Sequence, residues 1–136
     1  MTMQATPTTD MSLKAGLPRP ITAPDVPLPK GHYSHAMAAG GLVHVSGQLP
    51  SGPQDMDFEA QVRSAMASLL AIVAAAGGGP DNLVKVTAYL VGIDHWGEFN
   101  RIYAEIMGEA RPARAIVPVP ELHYGYLIEI DAVAVV

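Results

Sequence analysis

The chain is predicted to fold as an α+β domain in the order ββαβαββ, with both helices on one face of the sheet. Two segments place apolar residues at helical spacing, five shorter ones read as strands, and glycine or proline clusters separate them. At 136 residues the chain is long enough to bury a core as one domain.

Residues 1–29 are assigned to an extended N-terminal arm. Pro7, Pro18, Pro20, Pro24, Pro27 and Pro29 crowd it, and proline density of this kind blocks regular structure. Residues 30–136 form the folded domain. Tyr33-Ser34-His35-Ala36-Met37-Ala38-Ala39 leads into Gly40-Gly41 and then Leu42-Val43-His44-Val45-Ser46-Gly47-Gln48-Leu49-Pro50, a hairpin signal. Asp57 to about Ala76 reads as a helix, with Phe58, Val62, Met66, Leu69, Leu70 and Val73 inward. Asp55 or Asp57 caps its start and Gly77-Gly78-Gly79-Pro80 stops it.

Asn82 to Val91 alternates as a strand, with Val84, Val86, Ala88 and Leu90 on one face. A second helix from about His95 to Met107 is expected to start at an Asp94 cap and to end at Gly108. Its buried stripe would be Trp96, Phe99, Tyr103, Ile106 and Met107. Arg114 to Val119 and Tyr126 to Val136 are the last two strands. In the final one Ile128, Ile130, Ala132 and Ala134 point one way, and Leu127, Glu129, Asp131, Val133 and Val135 the other. Helices cover only one of these faces. With hydrophobic residues at 49% and charged residues at 15%, against roughly a quarter in ordinary domains, the other face is expected to be buried by self-association.

The formal charge of −5 disfavours nucleic acid, whose partners normally carry a basic footprint, and gives no reason to expect an anionic membrane. The absence of cysteine excludes disulfides, thiol nucleophiles and cysteine-held metals. His32, His35 and His44 fall in no metal-ligand pattern, so no metal is expected. No basic, apolar leader opens the sequence and no apolar run reads as a membrane span. A cytoplasmic location is the default expectation.

The residues most suggestive of chemistry are Arg114, at the head of one strand, and Glu129, inside another. A carboxylate in such a strand is costly to bury unless paired. Two readings stay open: a salt bridge across adjacent strands, or a shared pocket for an anionic ligand and a water. Ser46 beside Gly47 fits no hydrolase elbow and reads by itself as a turn serine. The Gly77-Gly78-Gly79 run follows a helix rather than preceding one, so it is no phosphate cradle. Asn100 is explained as readily by a solvated helix face as by a role in a site.

Taken in order, Tyr33 in its glycine-initiated hairpin, Ser46-Gly47-Gln48-Leu49-Pro50, Phe99-Asn100-x-x-Tyr103, Pro112-Ala113-Arg114 and Ile128-Glu129-Ile130-Asp131-Ala132 resemble the Rid (YjgF-type) family of reactive-intermediate deaminases. The resemblance implies a chorismate-mutase-like fold, a homotrimer with clefts between subunits, and hydrolysis of 2-enamino or 2-imino acids to 2-keto acids and ammonia without a cofactor. It matches Arg114 to the residue that binds the substrate carboxylate and Glu129 to the one that positions water. Tyr33, Ser46 and Asn100 match other pocket residues. His123 lies in the loop Pro120-Glu121-Leu122-His123-Tyr124-Gly125-Tyr126, more aromatic than is usual in housekeeping members. With His32 it is expected to shape a pocket for a larger or dicarboxylic substrate, as in 2-aminomuconate deaminases. Ile116 stands where many members have cysteine. Some relatives are described as ribonucleases or translation inhibitors, and others as non-catalytic ligand binders. Those are the alternatives of another class.

Overall fold

A computed structural model describes residues 16–136. The part of the proline-rich arm before Gly16 lies outside the described residues. Six strands form one sheet, β1 (Arg19–Ile21), β2 (Ala36–Ala39), β3 (Leu42–Gln48), β4 (Leu83–Val91), β5 (Ala113–Val119) and β6 (Ile128–Val135). The helices are α1 (Phe58–Ala75) and α2 (Trp96–Met107). The sheet order is β1-β2-β3-β6-β4-β5, with β4 and β5 parallel and every other pair antiparallel. A parallel pair needs a crossover, which α2 supplies between β4 and β5. The last strand to be made, β6, enters between β3 and β4.

The predicted α+β class and its two helices are borne out, with one strand more than expected. Arg19–Ile21 pairs with β2 rather than staying an irregular arm, and Ile21, Ala23 and Val26 bury their side chains. Proline does not forbid this, because β1 is an edge strand whose outer side needs no donor. Pro118 occupies β5, the opposite edge, for the same reason.

In α1 the Asp57 carboxylate accepts the Ala60 N–H at 2.8 Å. The helix ends as its glycines require: Gly77 takes φ 98°, the Gly77 N–H donates to Ala74 O and the Gly78 N–H to Val73 O. Against expectation, this 18-residue helix, with mean hydropathy 1.3, is long and apolar enough to cross a membrane by length and composition. Here its apolar face, including Val62, Met66, Leu69 and Val73, is buried in the core.

Two expectations along the second half are corrected. Val84 is 46% exposed, because the β4–β6 register shifts between Leu83 and Lys85 and puts Val84 out of phase with Val86, Ala88 and Leu90. Trp96 is 49% exposed, and the cap position belongs to His95, which makes no side-chain cap bond. Helical side chains lean toward the N-terminus, so a tryptophan at the first position projects beyond the packed turn. The buried stripe of α2 is Phe99, Ile102, Tyr103 and Met107.

Ile128, Ile130, Ala132 and Ala134 of β6 are buried, while Glu129, Asp131 and Val133 are half-buried. The two faces therefore differ as the alternation predicts. Register carries the open face across the sheet: Glu129 opposes Tyr89, which opposes Val117, and His44 opposes Val133, which opposes Lys85. Among the described residues no helix covers this face.

Candidate active site

Glu129 extends from β6 onto the open face at the point where β3 leaves its regular register. Val45 pairs with Ala132 and Gln48 with Ile130, so Ser46 and Gly47 together oppose Asp131 alone. That is a β-bulge, and bulges bend a strand and re-aim side chains. The Glu129 carboxylate lies against the bulge so closely that a Cβ on Gly47 would stand 2.5 Å from Oε2. Only glycine leaves that space. A lone glycine inside a strand pattern signals a bulge or close approach, and Gly47 is a site residue to which the sequence alone assigns no role.

Burial holds the Glu129 carboxyl above its ordinary range; the neighbouring His123 opposes the shift and the like charge of Asp131 adds to it. Asp131 in turn accepts a hydrogen bond from the Tyr89 hydroxyl at 3.0 Å.

Glu129 opens onto a cavity of ≈ 760 Å³ that Tyr33, Ser46, Gly47, His123 and Tyr124 also line. Four of the sequence-predicted site residues thus come together: Glu129, Tyr33, Ser46 and His123. Their roles differ. The Ser46 hydroxyl donates to Ser34 O at 2.7 Å, and the Ser46 N–H donates to His35 O, so the serine ties the segment carrying Tyr33 to the bulge. Tyr33 itself is 52% exposed. His123 opens a tight turn in which Tyr124 takes φ 64° and Gly125 φ 77°. A left-handed backbone at a bulky residue is uncommon and sets the direction in which its side chain leaves the chain. The loop's aromatic character thus becomes one wall of the cavity. His32 does not line it.

Arg114 and Asn100 stand elsewhere. Arg114 pairs with Val86, which pairs with Ala132, and all three point to the helix-covered face. Its guanidinium lies over the Phe99 ring at 5.8 Å and the Tyr103 ring at 5.0 Å. Asn100 follows Phe99 on α2 and is half-buried. Of the two open readings, the salt bridge between Arg114 and Glu129 across adjacent strands is overturned: β4 lies between β5 and β6, and the two side chains leave opposite faces. Within one chain they share no pocket either. Beside Arg114 the buried Tyr103 hydroxyl has no partner among the described residues. Its ionisation is pushed up by burial and drawn back by Arg114. No group of histidine or acidic side chains suited to a metal occurs among the described residues.

The sequence profile of the family described as Endoribonuclease L-PSP matches residues 23–136. The chain belongs to the Rid (YjgF, L-PSP) family. It is 37% identical over 119 residues to a RutC family protein of Pyrococcus horikoshii, covering 84% of this chain and 94% of that one. Among solved structures it is similar to YyfA of the Rid family from Yersinia pestis, with a TM-score of 0.84, 31% identity and coverage of 88% and 100% of the two chains. It is also similar to TdcF of E. coli, crystallised with bound serine, with a TM-score of 0.82, 28% identity and coverage of 87% and 98%. The Rid match begins at residue 23, so it takes in the end of the segment assigned from sequence to the arm. That segment is where Ala23 and Val26 enter the core.

Proposed function

We propose that this Rid protein is a hydrolytic deaminase of 2-enamino and 2-imino acids, with Glu129 as the base that orients water and Arg114 as the carboxylate anchor. The observation that carries the reading is Glu129: a partly buried carboxyl with a raised pKa, unpaired by any cation within ion-pair distance among the described residues, lining a cavity. A raised pKa makes a carboxylate a better proton acceptor near neutrality. A serine bound to the similar TdcF suits a site that takes amino-acid-like ligands.

The chemistry asks little of the protein. Water adds its oxygen to C2 of the imine as one of its protons passes to Glu129, and the C=N π pair becomes a lone pair on nitrogen. Glu129 returns that proton to nitrogen, the hydroxyl proton of the carbinolamine passes to nitrogen as well, ammonia leaves, and C2 becomes a carbonyl. The net change is imino acid plus water to 2-keto acid plus ammonia. An imine carbon is already electrophilic, so placement of substrate and water supplies most of the acceleration. No cofactor is called for.

Placement is where assembly enters. Arg114 stands on the edge strand β5 and Glu129 on the open face of β6, so the complete site pairs Arg114 and Asn100 of one copy with Glu129, Tyr33 and His123 of another. The uncovered sheet face and the unpartnered Tyr103 hydroxyl support such a junction, since a buried unsatisfied hydroxyl costs about 1–3 kcal/mol. A homotrimer is expected in light scattering or sedimentation at micromolar concentration, and an active stable monomer would sink the two-copy site.

The direct test is ammonia release from freshly generated 2-iminobutyrate above the uncatalysed rate. An RNA-cleavage assay run alongside addresses the activity in the family's description; the charge of −5 and a site centred on a carboxylate argue against RNA. Gly47→Ala is expected to cut turnover by about 100-fold, because displacing Glu129 by about 1 Å is enough to lose the attack geometry. Folding and assembly should persist, which circular dichroism and sedimentation would check.

A further inference from the structure

Three side chains that can carry positive charge line the cavity beside Glu129: Lys30, His35 and His123. They are not equally available to a ligand. Nδ1 of His35 accepts the Ala23 N–H at 3.0 Å, and its Nε2 lies 2.9 Å from Pro27 O. An accepting Nδ1 places the ring proton on Nε2, so the imidazole is neutral and both nitrogens are in use. His123 stands beside Glu129 and faces it directly. Lys30 has no carboxylate within ion-pair distance among the described residues.

The Lys30 side chain, exposed where it lines the cavity, is flanked from two sides. Its Nζ lies 4.8 Å from the centre of the Tyr124 ring, a seat that holds an ammonium without neutralising it. That ring leaves a left-handed backbone at Tyr124 and meets the Tyr126 ring edge-on at 6.4 Å. Tyr126 is anchored by its hydroxyl, which donates to Gly52 O. On the other side, the His35 bonds to Ala23 and Pro27 clamp the strap that leads to Lys30.

We propose that Lys30 recognises a second anionic group, so that the site is built for 2-imino or 2-enamino acids carrying a distal carboxylate. This rests on the deaminase reading of the same cavity and narrows its substrate class. Arg114 of a second copy holds the carboxylate beside the reacting carbon, and Lys30 holds the far one. The residue that sets this preference is then Lys30, rather than the His32 expected from sequence.

The test compares two five-carbon imines generated in solution by an amino-acid oxidase: 2-iminoglutarate, with the distal acid, and 2-iminopentanoate, without it. The assembled wild-type protein is expected to favour the diacid by about tenfold in kcat/KM, chiefly through KM, as one charge-assisted contact provides. Lys30→Met should bring the ratio to near one, Lys30→Arg should restore it, and Tyr124→Leu should lower it partway. Absence of a preference in the wild type, or an equal loss on both substrates in Lys30→Met, would overturn the proposal. Calorimetry with 2-oxoglutarate and 2-oxopentanoate reads the same preference without turnover. Lys30-dependent diacid binding with no imine hydrolysis would defeat the deaminase reading alone. Arg114-dependent hydrolysis with no diacid preference in either assay would defeat this inference alone.

Discussion

Arg114→Ala is expected to abolish imine hydrolysis in a protein that still folds and assembles. Two charge-assisted contacts to the substrate carboxylate are lost together, a drop of at least about 100-fold in kcat/KM. Arg114→Lys should remain badly impaired, since a point charge does not reproduce the planar fork. Lysine also fits less well in the position over the Phe99 and Tyr103 rings that aims the guanidinium. Because those ring contacts also contribute to packing, the melting temperature must be read on the same sample. A folded Arg114→Ala assembly turning over imine at the wild-type rate would remove the carboxylate anchor from the mechanism.

Glu129→Gln is expected to keep ligand affinity and lose most turnover, since the amide still hydrogen-bonds but accepts no proton from water. Its effect on stability has a definite sign. Burial raises the Glu129 pKa in the folded state, so the folded protein binds more protons than the unfolded chain between the unfolded and folded values. Stability is therefore lost as pH rises through that window. The neutral glutamine escapes this cost and should melt at a temperature equal to or above wild type at pH 7, with the advantage shrinking at acid pH. For the same reason wild-type activity should fall as pH drops through the raised value, because the base becomes protonated. A lowered melting temperature with full turnover would instead make Glu129 a structural group.

Several elements were legible because local rules and tertiary context agree. The Asp57 cap, the glycine stop at Gly77 and the alternation of β6 are decided within a few residues, and the structure keeps all three. The errors arose where a longer-range constraint prevailed. Proline density argued against a strand at Arg19–Ile21, yet an edge position tolerates proline. Helical spacing placed Trp96 in the core, yet its first-turn position leaves it exposed. The phase of Val84 depended on a register shift against β6 that its own segment does not encode.

The candidate site divides in the same way. The sequence by itself determined the residue types, through the order of Tyr33, Ser46, Asn100, Arg114 and Glu129, and the two-faced character of the last strand. Those are properties of a linear pattern. Only the tertiary structure decided that β4 separates β5 from β6 and sends Arg114 and Glu129 to opposite faces, because strand order follows from crossovers and not from spacing. It likewise decided the closeness of Glu129 to Gly47 and the seating of Lys30 on Tyr124, contacts made between segments 82 and 94 residues apart in the chain. Such contacts exist only after the chain has packed, and no local periodicity records them.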